Sequence, residues 1–142
     1  MLTVLSVVGG CSFRSGAEAS SSAWRSSTDK ALGAALSSLG TARLLLDGER
    51  ADRLPHPYVV VAIRDTVEVL GKQTSSYRIS QPPAGRARDQ RTVVALLDDS
   101  ATLLSAAAVV ATAGDDAENA RTAAELQRAY RRAAALQQKL AG

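Results

Sequence analysis

Residues 53–63 read RLPHPYVVVAI, and the fold turns on whether the stretch from Tyr58 to Ile63 is a strand or the opening of a helix. Its β-branched side chains favour a pleated surface. Against that, Val60, Ile63, Val67, Leu70, Thr74 and Tyr77 keep a three-four spacing for about five turns, as one face of a helix must. Glu68 and Lys72 add a favourable i, i+4 pair. The spacing therefore predicts a helix from Tyr58 to about Ser80. Pro55 cannot continue a helix and biases Leu54 away from helical geometry, whereas Pro57 suits a first helical turn.

Upstream of that break, Trp24, Thr28, Ala31, Ala35, Leu39, Ala42 and Leu46 form a stripe, widened by Leu32, Leu36 and Leu45. It predicts a helix from about Ser21 to about Leu54. Gly33, Gly40 and Gly48 each cost roughly 1 kcal/mol in a helix interior, and are read as places where a neighbour packs closely. Downstream, QPPAG at 81–85 ends the second helix, and a third should begin near Ala87 or Asp89. Its inward stripe is Val93, Leu97, Ser100, Leu104, Ala107 and Ala111, and Gly114 supplies the stop. Asp115 followed by Glu118 resembles a capping box, opening a fourth helix with Ala120, Ala123, Leu126, Tyr130, Ala133, Leu136 and Leu140 inward.

Four amphipathic helices with short connections have one economical arrangement, an antiparallel up-down-up-down four-helix bundle. The expected class is all-α, with a single domain over 21–142. Aromatic residues make up only 4% of the chain and Ala and Leu dominate, which suits close-packed helices. A formal charge of +3 without a dense basic block argues against a nucleic-acid partner. No uninterrupted apolar stretch approaches the roughly 20 residues of a membrane span, so no transmembrane helix is expected.

The N-terminus reads differently. In LSVVGGC at 5–11, an apolar run from Leu2 to Val8 is followed by Gly9, Gly10 and Cys11, small residues of the kind a signal peptidase accepts. The segment resembles a bacterial lipobox, which implies lipidation of Cys11 and cleavage before it. Residues 1–10 are then a lipoprotein signal peptide and 11–20 a disordered Ser/Ala/Gly-rich tether. No Lys or Arg precedes the apolar run, a departure that a start upstream of Met1 would explain. The competing reading is an ordinary thiol in an irregular N-terminus, and the polar stretch after Cys11 favours the lipobox. A second resemblance covers most of the chain. The tether, the long Ala/Leu helix ending in RLPHPY and the helix ending in QPP look like the small all-helical lipoproteins of high-GC Gram-positive bacteria. It implies fold and location, on the outer face of the cell membrane, and supplies no site.

Nothing in the chain composes a catalytic constellation, and no cofactor or metal is expected. His56, the single histidine, sits between two prolines as a loop residue would, without the Glu-x-x-His pattern of di-metal bundles. Asp98 and Asp99 fall between stripe positions, so at least one should face solvent. The serines have no activating base. Trp24 and Tyr130 should fill the core near the tethered end, with a ligand pocket between them as a minor possibility. Basic residues gather at the end from which helix one rises and acidic ones at the far end. Arg86, Arg88 and Arg91 are thus a candidate membrane-facing cluster. The function expected is a non-enzymatic interaction or scaffold module, with the membrane and an envelope protein as partners; a small-molecule receptor is the alternative.

Overall fold

The computed structural model describes residues 17–142, with side chains from residue 21 onward. Cys11 and the signal segment lie outside the described residues. The described chain forms an all-α antiparallel four-helix bundle: α1 Ala17–Arg50, α2 His56–Arg78, α3 Ala87–Ala113 and α4 Asp116–Ala141. The VVVAI run is helical. The up-down-up-down order follows from what meets at each end. Trp24 near the start of α1, Tyr77 at the end of α2 and Gln90 near the start of α3 are hydrogen-bonded together, and Trp24 shares a small cavity with Leu140 and Ala141 of α4. At the opposite end, His56 of α2 bonds Glu49 of α1 and lies against Gly114 after α3.

The first helix differs from expectation at both limits. It begins at Ala17, inside the stretch read as tether, and stops at Arg50 rather than near Leu54. The stop is a Schellman closure, in which Arg53 N–H donates to Gly48 O and Asp52 N–H to Glu49 O, each at 2.9 Å. Asp52 takes the left-handed position at φ 52°, where glycine is usual. Leu54 then folds back onto Gly48, where an added Cβ would meet its Cδ1 at 2.6 Å. Gly48 is thus a packing site for the loop. Gly40 accommodates the Tyr130 ring, and Gly33 has no neighbour that requires it.

In α3 all six expected inward residues are buried, joined by Gln90. In α2 the stripe lies one residue earlier than read at two of its six positions: Val59 and Thr66 are buried with Ile63, Leu70, Thr74 and Tyr77, while Val60 and Val67 flank the core. α4 turns Asn119, Thr122, Ala123, Leu126, Ala129 and Ala133 inward. Tyr130 stands at the edge, 37% exposed, and Leu136 and Leu140 are only partly buried. The Tyr130 ring lies over Gly40 of α1 at the rim of this contact, while the buried α4 residues beside it, Ala129 and Ala133, are small. The Asp115 carboxylate caps α4 through Glu118 N–H at 2.9 Å, but the Glu118 side chain turns to Arg121, so half of the capping box forms.

α3 is nevertheless apolar over much of its length. An 18-residue window within this helix has mean hydropathy 1.8, and by length and composition it could cross a bilayer. Here it packs as a bundle helix, with Asp98 paired to Arg78 of α2 and its apolar stripe against the other helices.

Leu97 and Leu126 are fully buried and Ser37 is exposed. Leu97→Asp or Leu126→Asp should each destabilise the fold by about 3–5 kcal/mol, because each buries an unpaired charge, whereas Ser37→Asp should stay within about 0.5 kcal/mol. Urea denaturation followed by circular dichroism gives the comparison.

Candidate functional site

Two features of the bundle concentrate polar side chains, one at the end where α1 begins and one near mid-length of α3 and α4. The first is a buried network. The Trp24 indole N–H donates to Gln90 Oε1 at 2.7 Å, and Gln90 Nε2 donates to the carbonyls of Tyr77 and Ser80 at 3.3 and 3.1 Å. Those carbonyls lie in the last turn of α2 and just beyond it, and the Tyr77 carbonyl also accepts from the N–H and hydroxyl of Ser80. Gln90 therefore caps one helix, anchors a second and sits on a third. The Tyr77 hydroxyl shares a 3.0 Å hydrogen bond with that of Thr28, and burial pushes its pKa above the ordinary phenol value, against the lowering effect of the Thr28 and Trp24 bonds.

Arg86 closes the network from outside. Its guanidinium stacks 5.8 Å from the Trp24 ring centroid and donates to Asp89 at 2.9 Å. The three arginines singled out in the sequence are thus not equivalent. Arg86 is half-buried and engaged with the body, while Arg88 and Arg91 are exposed on the first turns of α3.

The second feature is the seam between α3 and α4, where contact is sparse compared with the α1/α4 and α1/α2 seams. A groove of about 520 Å³ opens there, lined by Asp99 and Leu103 of α3 and by Glu125, Arg128, Arg131 and Arg132 of α4. A second hollow of about 200 Å³, floored by Leu96 and Ala129, shares Asp99 and Arg132 with it, so the two adjoin. Arg128 is a loose partner of Glu125 at 3.9 Å. The i, i+4 pair Arg128 and Arg132 was the available sequence signal for this basic rim.

The remaining candidates fall elsewhere. His56 sits at the far end, bonded to Glu49, away from both features. Asp98 is tied to Arg78 and Asp99 is exposed in the groove. Trp24 and Tyr130 border different hollows: one of about 130 Å³ with Leu140, the other of about 280 Å³ with Gly40 and Arg43. Among the described residues, no three His, Cys, Asp or Glu side chains are placed to hold a metal ion.

Comparison with known proteins returns no matching family model, no similar curated protein and no matching solved structure.

Gln90→Leu removes the acceptor of the Trp24 N–H and the Gln90 donor to the Ser80 carbonyl, and should cost about 1–3 kcal/mol, while Arg88→Gln should be nearly silent. Tyr77 supplies a pH signature. Below the unfolded phenol value of about 10, both states are protonated and its contribution is complete. As pH rises through the higher folded value, the unfolded chain ionises first and stability falls. The stability advantage of the wild type over Tyr77→Phe, read from urea midpoints, should therefore shrink above about pH 10.

Proposed function

We propose that this chain is a lipid-anchored module of the bacterial cell envelope, held on the outer face of the cytoplasmic membrane through Cys11 and acting by docking, without catalysis. The observation that carries this reading is LSVVGGC at 5–11, an apolar run with Gly9 and Gly10 before the single cysteine. In such a segment the Cys11 thiol displaces the phosphate head group of a phospholipid, which leaves with the thiol proton, to form a thioether to the diacylglyceryl group, and hydrolysis of the Gly10–Cys11 bond makes Cys11 the new N-terminus. Two acyl chains give stable anchoring, because each buried methylene contributes about 0.8 kcal/mol while a single chain is marginal.

The bundle supports the reading through its placement of charge. α1 begins only six residues after Cys11, so the end carrying Arg88 and Arg91 is the end nearest the anchor. These two exposed arginines, with Arg86 partly committed to Asp89, form the membrane-facing basic cluster. Anionic head groups attract each such charge by about 1 kcal/mol near the surface. The opposite end, with Asp115, Asp116 and Glu118, is left to an envelope protein partner.

Intact-mass measurement on protein extracted from its own membrane tests the anchor. The expected mass is that of residues 11–142 plus acyl chains, lost on Cys11→Ser. A full-length unmodified chain in the soluble fraction overturns the reading.

A further inference from the structure

The outward faces of α3 and α4 carry a charge pattern that the end-on cluster does not use. On α3, Arg88, Arg91, Ala95, Asp99, Thr102 and Ala106 follow one another by three and four, and all are exposed. They therefore form one stripe pointing away from the core. On α4, Arg128, Arg132 and Lys139 are exposed on the side that meets this stripe, with Arg131 beside them. Among charged residues on α3 and α4, the half of this face nearer the start of α1 thus presents Arg88, Arg91, Arg128, Arg131, Arg132 and Lys139. Asp99 and Glu125 oppose them, while Asp89 and Asp98 are paired to Arg86 and Arg78. Beyond Ala106 the face ends at an acidic turn, Asp115, Asp116 and Glu118.

We infer that the bundle lies tilted on its α3/α4 side against an anionic lipid surface, with the groove arginines Arg128, Arg131 and Arg132 over the head groups and the acidic turn lifted away. The inference rests on the membrane location proposed above. Charge complementarity selects the occupant, since five arginines and a lysine gathered on one side match phospholipid head groups. The tether length agrees. Six residue steps from Cys11 to Ala17 span at most about 22 Å, and α1 stands roughly one 8–10 Å helix layer behind this face, so an anchored chain reaches the tilted pose. A body standing on its end would hold Arg88 and Arg91 at the surface but raise Arg128 about 20 Å along α4, beyond a Debye length of about 8 Å.

The full chain carrying Cys11→Ser is tested on vesicles, so lipidation plays no part in the result. Vesicles contain about 30% phosphatidylglycerol in phosphatidylcholine, with phosphatidylcholine alone as reference, at about 50 and 150 mM salt. Arg128/Arg131/Arg132→Gln should weaken flotation with the anionic vesicles by about tenfold or more at low salt. The equal charge removal Arg50/Arg53/Arg64→Gln, placed on α1, α2 and their loop, should change it by less than about twofold, with both variants melting as the parent does. Because Cys11 is the chain's one cysteine, single thiols for an environment-sensitive dye can be placed at Ala95, Val61 and Ala117, all exposed. Anionic vesicles should blue-shift the Ala95 dye and leave the Val61 and Ala117 dyes unchanged. Equal losses from the two triple variants, no dependence on phosphatidylglycerol, or a shift at Ala117 matching that at Ala95 overturns the inference. So does binding of the parent to poly-glutamate but not to vesicles, which would give the groove to an acidic protein. Failure of the Cys11 mass experiment alone would remove the anchor and leave these vesicle results to stand by themselves.

Discussion

The carboxamide of Gln90 is the constraint on which one end of the bundle depends. It has two N–H donors and an acceptor oxygen, and in this structure its nitrogen donates to the Tyr77 carbonyl in the last turn of α2 and to the Ser80 carbonyl just beyond it, while the oxygen receives the indole of α1. Each of those groups is costly to bury alone. A single side chain on α3 therefore fixes the axial register of α1 and α2 relative to itself. Hydrophobic burial alone would resist such sliding less, because Leu and Ala stripes tolerate small shifts with modest loss. The stacking of Arg86 on Trp24 is a by-product of this alignment, since the indole is held where the guanidinium can cover it.

That alignment is uneven around the barrel of helices. α1 packs extensively against α4 and α2, through small residues such as Ala35, Ala42, Ala129 and Ala133 that let backbones approach. α3 and α4 are joined by a short turn yet meet sparsely, and the backbones of α2 and α4 stay apart on the diagonal. The groove is the geometric consequence. Long, charged side chains on α4 line a seam that shorter, apolar ones would have closed.

How much of this was legible depended on local contrast in the sequence. The inward face of α3 was readable from Val93 to Ala111 because polar and charged residues such as Arg91, Asp99 and Thr102 mark the opposite side without ambiguity. In α2 the run Val59, Val60 and Val61 offers three adjacent apolar positions, and only the neighbouring helices decide which is buried. Tyr130 was misplaced for a related reason: size argues for the core, but the α1 contact admits Ala129 and leaves the ring lying over Gly40. The end of α1 was unreadable because Asp52 adopts the left-handed turn without the glycine that would advertise it. Gln90 was findable, since it extends the Val93, Leu97 stripe by three residues, although a polar residue in an apolar pattern invites dismissal. The groove required knowing which seam is loose. That is a property of all four helices together.

The extensive contact between α1 and α4 also bears on how the chain reaches this state. The two helices are the most distant in sequence, so the best-packed seam is also the one with the greatest loop-closure entropy. Local pairings, α1 with α2 and α2 with α3, can form early, but the small-residue surface of α1 stays uncovered until the last helix arrives. A chain emerging N-terminus first thus holds an incomplete, exposed core until nearly all of its residues are available. The folding barrier should reflect that wait, with α4 docking late and contact order higher than in a bundle whose strongest seams join consecutive helices.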